Sequence, residues 1–109
     1  MSEETIQVHP EELKELVVKK LTAVEMHTEH AKIVADVLVF ADLRGTQSHG
    51  VLRTEHYANR VRKGGMKLKP TLRFEKLKPS VGVIDAEGGV GHVAAKLATE
   101  HAIELAKEH

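Results

Sequence analysis

Apolar residues recur at helical spacing along most of this chain and switch to strict alternation only once. Leu13, Leu16, Val17, Leu21 and Val24 repeat every three or four positions and predict a helix over residues 10–24. Pro10 suits its first turn, where an amide hydrogen has no partner to lose, and Glu11 and Glu12 complement the positive helix end. Ile33, Val34, Val37, Leu38 and Ala41 form a second stripe. Thr28 is expected as its N-cap, with Glu29 in the first turn and Gly45 as the stop. Ser48 is expected to cap a third helix from His49 to about Arg62, ended by Gly64 and Gly65.

The pattern changes after the loop GGMKLKP. Thr71 to Lys76 alternates apolar and charged residues, as a half-buried strand does. Val81 to Asp85, VGVID, is a short apolar run and predicts a more buried strand. A glycine cluster, EGGVG, intervenes. Val90, Val93, Ala94, Leu97, Ala98, His101, Ala102 and Leu105 then mark a last amphipathic helix. Its pattern reaches the final residues with no stop signal, which suits either a domain that ends in a helix or a piece of a longer chain. The expected class is α+β: a three-helix group, two short strands and a helix.

Composition narrows the function classes. The 109 residues suit one small domain or part of a larger one. Aromatics make up 3% and Trp is absent, so the core must come from Val, Leu, Ile and Ala. Lys plus Arg and Asp plus Glu both number 16, which removes the basic excess that nucleic acid or an anionic membrane would attract. A net charge of zero also favours self-association. With no Cys, disulfides and thiolate metal sites are excluded. No apolar run approaches the ~18 residues of a membrane span, and the opening MSEETIQVHPEEL lacks a signal-peptide core. A cytoplasmic protein is expected.

The candidate chemistry lies in ADLRGTQSHGVLR, residues 41–53. As a helix, residues 49–62 would bring His49, Arg53, His56 and Tyr57 to one face. An imidazole exchanges protons with a hydroxyl or a carbonyl. A guanidinium one turn later presents a planar fork that matches a carboxylate. Ser48 and Tyr57 add hydroxyls for orientation. Together they suit a small 2-hydroxy or 2-oxo acid. The same residues admit a plainer reading: Ser48 as a cap only, His49 and His56 solvated, and Arg53 paired with Glu55 or an acid on another helix. Asp42 and Arg44 read as structural, tying the 44–49 turn.

ADLRGTQSHGVLR, followed by EHYANRVRKGG, resembles the opening of the type 2 malate/L-lactate dehydrogenase family of NAD(P)-dependent oxidoreductases. DAEGGVGHVAAKLATEHAIELAKEH resembles the strand, glycine turn and helix of the same family. The resemblance implies a fragment of a larger, non-Rossmann dehydrogenase fold. Residues 1–70 would be its N-terminal helical domain and 71–109 the start of its cofactor-binding domain. It implies a cytoplasmic homodimer that moves hydride between NAD or NADP and a small 2-hydroxy acid, the ureidoglycolate-oxidising members matching best. By the same resemblance His49 is the acid/base group, while Ser48, Arg53 and Tyr57 line the substrate pocket. Most of the cofactor-binding part is expected to lie outside these residues, leaving this chain inactive alone. A second reading remains: a non-catalytic helical module that dimerises or binds a protein.

Other signals point elsewhere. Gly89, Gly91 and Ala94 fit a G-x-G-x-x-A dinucleotide fingerprint, but the glycines begin four residues after Asp85, and the resembled family binds its cofactor differently. His27 and His30 have metal-ligand spacing without further ligands, so no metal is expected. His101 falls within the apolar stripe and reads as a hydrogen-bonded interior or interface residue. Lys63, Lys67, Lys69, Lys76 and Lys78 read as a solvated basic segment.

Overall fold

The computed structural model describes residues 7–66 and 70–109. Lys67 and Lys69 of the basic segment therefore lie outside the described residues, as does most of the N-terminal lead-in. In chain order the elements are α1 (Pro10–Ala23), α2 (Thr28–Leu43), two short 3-10 turns (Gln47–His49 and Val51–Arg53), α3 (Thr54–Arg62), β1 (Arg73–Lys78), β2 (Val81–Asp85) and α4 (Gly91–Glu108). This is the expected α+β mix.

The start of α1 is fixed by His9, whose Nδ1 accepts from the Glu11 amide at 3.2 Å, and by Pro10 behind it. Helix α2 begins at its expected cap position, one residue earlier than predicted. Thr28 is its first helical residue, and His27, which caps it, makes no side-chain cap bond.

Three helices end the same way. The amide two residues past the cap reaches back to close the last turn: Met26 to Leu21, Thr46 to Ala41 and Gly65 to Arg60, at 3.2, 2.8 and 2.7 Å. The residue before each is left-handed. Gly45 and Gly64 take that position after α2 and α3 with φ of 83° and 78°, while Glu25 takes it after α1 at 69°.

The core is aliphatic. Val17 and Leu21 of α1, Val34 and Leu38 of α2, and Ala58 and Val61 of α3 are buried together, and Val90 and Val93 bring the start of α4 into the same cluster. Leu21 and Leu38 are the largest fully buried side chains. Each contributes roughly 1.5–3 kcal/mol by leaving water. Small Ala31 and Ala35 on the same face of α2 let the helices approach closely.

β1 and β2 form an antiparallel hairpin with Phe74 opposite Ile84, and with an irregular register between Lys76 and Lys78. The first strand begins two residues later than its alternation predicts. The second is less buried than expected: Val81 and Val83 are 46% and 50% exposed. A two-stranded hairpin has only one face covered, here by α4. On that face the Phe74 and His101 rings stack with centroids 3.8 Å apart. His101 thus serves as a flat packing surface instead of the expected hydrogen-bonded group.

Candidate active site

The candidate chemistry sits on the turn between α2 and α3, and Asp42 builds that turn. From the last turn of α2 the half-buried Asp42 carboxylate accepts from the Val51 amide at 3.0 Å. Its oxygens press on Gly50: a Cβ there would fall 1.9 Å from Asp42 Oδ1. Only glycine lets the carboxylate come so close. Thr54, buried at the start of α3, closes the turn by donating its hydroxyl to the Val51 carbonyl at 2.6 Å. Arg44 lies outside this bonding and stacks its guanidinium over Phe40 at 5.0 Å. Asp42 fills the tying role expected for the pair.

A single helix over residues 49–62 does not form. Gly50 is extended, with φ −96° and ψ −153°, and separates the two 3-10 turns; α3 begins only at Thr54. The break sits at Gly50, whose backbone leaves helical geometry where the Asp42 carboxylate packs against it and accepts from the Val51 amide at the start of the second 3-10 turn. Ser48 is accordingly not an N-cap. It lies inside the first 3-10 turn.

The break still brings three of the four expected residues together. The Ser48 hydroxyl and His49 Nδ1 are hydrogen-bonded at 2.9 Å. Arg53 donates Nε–H to the Ser48 carbonyl at 2.8 Å. Ser48 and His49 are exposed and Arg53 is half-buried. Arg53 does not pair with Glu55. Glu55 instead meets Lys20 of α1, whose ammonium holds the Glu55 carboxyl below the usual carboxylate range.

Tyr57 lies one turn into α3 and faces a different neighbour. Its half-buried ring meets His92 of α4 edge to face, with centroids 5.1 Å apart, and His56 at 5.8 Å. His92 was legible as a residue of the last helix, nine positions before His101 and just after the second glycine of the fingerprint. Its Nδ1 is buried with no hydrogen-bond partner among the described residues. Burial pushes its imidazole below the ordinary histidine range. The reverse side of the turn borders a hollow of about 380 Å³ lined by Leu13, Val39, Asp42, Leu43, Val51 and Leu52, among others.

The glycines before α4 do not fit a dinucleotide phosphate turn. β2 belongs to an antiparallel hairpin, not a parallel crossover unit. Gly89 packs on Pro70, where a Cβ would fall 2.5 Å from Cγ. His27 and His30 meet each other edge to face at 5.0 Å. Among the described residues no group of three or more metal-ligand side chains occurs.

The sequence model of the malate/L-lactate dehydrogenase family matches residues 8–109. The chain belongs to this family. Ureidoglycolate dehydrogenase (NAD(+)) of Escherichia coli is 41% identical over 104 residues, covering 95% of this chain and 30% of that protein. The structure of malate dehydrogenase from Pyrococcus horikoshii superimposes with a TM-score of 0.88 at 41% identity, over 94% of this chain and 29% of that one. Sulfolactate dehydrogenase from Methanocaldococcus jannaschii gives 0.87 at 39% identity, over 94% and 30%. The chain thus spans about 30% of the length of the curated relatives it matches. In family terms, the Asp42 to Thr54 turn and its Ser48, His49 and Arg53 lie inside the matched stretch.

Proposed function

We propose that this chain forms the carboxylate- and proton-handling wall of a cytoplasmic, NAD(P)-dependent 2-hydroxyacid dehydrogenase. The observation that carries the reading is the bonded Ser48–His49–Arg53 unit, which presents an imidazole and a guanidinium from one locked turn. Arg53 holds the substrate carboxylate through charge-assisted bonds. His49 takes the proton of the 2-hydroxyl during oxidation and returns it to the carbonyl oxygen during reduction. Tyr57 orients the substrate. A nicotinamide dinucleotide, NAD or NADP, supplies the hydride chemistry, which no side chain can perform. Family membership supports the reading, because the relatives carry malate, sulfolactate and ureidoglycolate in their names. Ureidoglycolate, oxidised to oxalurate in purine breakdown, is the first substrate to test, with malate and sulfolactate beside it.

A chimera tests this, with the chain replacing the matching segment of the Escherichia coli ureidoglycolate enzyme. Hydride transfer is followed through the absorbance of the reduced nicotinamide. Arg53→Ala is expected to lower kcat/KM by about 100- to 1,000-fold, the loss of two charge-assisted bonds. An unchanged kcat/KM removes Arg53 from carboxylate binding.

A homodimer is part of the same proposal. Phe40, Leu43 and Leu52 are 57%, 66% and 64% exposed, a surface that a second copy can cover. The reading as a non-catalytic dimerisation or protein-binding module draws on these residues too. Sedimentation of the chain as a monomer at high concentration counts against both the dimer and a dimerising module.

A further inference from the structure

Ser48 makes two contacts that point in different directions. Its hydroxyl meets His49 Nδ1 at 2.9 Å, and its carbonyl accepts Arg53 Nε–H at 2.8 Å. One residue therefore holds both groups that the hydroxyacid reading uses. The two bonds also decide which atoms remain for a ligand. With Nδ1 engaged, His49 works through Nε2. With Nε engaged, Arg53 works through its two terminal nitrogens.

The geometry assigns Ser48 the part of a positioning residue, one that sets the tautomer of His49 and does not itself bind substrate. This rests on the hydroxyacid reading above. To take a proton from an alcohol, Nε2 must be bare, so the ring proton must sit on Nδ1. In that tautomer the Ser48 oxygen, 2.9 Å from Nδ1, accepts the ring proton, whereas in the other tautomer the same hydroxyl would donate to Nδ1. After the transfer the imidazolium carries a proton on each nitrogen, and the same oxygen still accepts from Nδ1–H. A hydroxyl serves both states because its own hydrogen rotates away. The proton balance closes on one atom: the substrate hydroxyl loses a proton to Nε2, and Nδ1–H is unchanged throughout. The end-on presentation of Arg53 follows equally. Its two terminal nitrogens can match the two oxygens of a carboxylate, while Nε anchors the side chain to the turn.

Ser48→Ala separates the two contacts, because it removes the hydroxyl and leaves the carbonyl. The first readout is nitrogen NMR of the His49 ring in the chain itself. Wild type is expected to favour the proton on Nδ1. Ser48→Ala should shift the tautomer ratio toward Nε2–H by about fivefold, a typical consequence of losing one hydrogen bond. Ser48→Thr, which keeps a hydroxyl, should restore it. A tautomer ratio unchanged by Ser48→Ala overturns the assignment.

The second readout is kinetic, in the chimera described above. Ser48→Ala should lower kcat about tenfold, a fraction of what a positioned proton-transfer group contributes, with KM within about twofold. A raised KM with unchanged kcat would mean that Ser48 touches substrate, and overturns the assignment. The two readouts also separate this inference from the reading beneath it. If the chimera transfers no hydride while the ratio still responds to Ser48→Ala, the dehydrogenase reading fails and the Ser48 bond to the ring stands.

Discussion

Two histidines, His49 on the turn after α2 and His92 at the start of α4, are placed in opposite ways. His49 is exposed, yet its Nδ1 is hydrogen-bonded. His92 is half-buried, yet its Nδ1 has no partner among the described residues. A structure assembled for stability alone would do the reverse, since water satisfies an exposed nitrogen and nothing satisfies a buried one. The bond at His49 adds little to folding. It fixes a direction. The orphaned nitrogen at His92 costs stability, while its ring edge against Tyr57 joins α4 to α3. One histidine is organised for what it presents outward and the other for what it packs against.

The contrast is most easily broken at Gly50, beneath His49. Gly50→Ala would drive a methyl into the Asp42 carboxylate, and relief requires giving up the Val51 amide bond. We expect a loss of about 2 kcal/mol in urea unfolding, together with loss of the Ser48–His49 geometry. An Ala variant as stable as wild type would show that the turn does not depend on this contact.

His92 offers the opposite test. Its folded-state affinity for protons lies below that of the unfolded chain, so the unfolded state binds more protons as the pH falls through about 6.5. This contribution to stability is complete above that pH and is lost below it, until the folded-state imidazole also titrates. His30 shifts in the same direction, through burial first and then the neighbouring His27. His92→Phe keeps a ring against Tyr57 and removes the orphaned nitrogen. It should raise stability at pH 7 by about 1 kcal/mol and flatten the decline between pH 7 and 5. The slope that remains belongs chiefly to His30. An identical decline in the variant would show that His92 does not titrate with unfolding.

The smallest effect is expected at Asp42 itself. Asp42→Asn keeps an oxygen acceptor for the Val51 amide and loses only the charge assistance. The expected cost is about 0.5–1 kcal/mol, and the His49 tautomer ratio should stay close to that of wild type. A cost as large as that of Gly50→Ala would mean that the charge, not the acceptor, holds the turn.

The parts of the molecule differ in how much their sequence reveals. The bounds of α1 and α2 follow from apolar spacing, because the stripes are long and their stops use left-handed turns. The α+β class follows from the single switch to alternation. Ser48, His49 and Arg53 could be nominated from their residue types, and the resemblance to the family rested on the same stretch. Their arrangement could not be read, because the helix that spacing predicts is interrupted at Gly50, where the chain is extended and packed against a carboxylate eight residues earlier. The only local sign of the break was Gly50 itself, a residue that weakens a helix interior by about 1 kcal/mol. Tyr57 and His92 are far apart in sequence, and no local pattern pairs them. VGVID looked more buried than it is because composition does not say that its sheet has two strands and one covered face.

The bonds that shape the candidate site all fall between Asp42 and Thr54. None of them waits for the hairpin or α4. Contacts this local close on the timescale of a short loop, about 10–100 ns, long before sequence-distant pairs such as Tyr57 and His92 meet. The turn is in this sense a cassette: its geometry is written in one continuous stretch and can travel with that stretch into another backbone that offers the end of one helix and the start of the next.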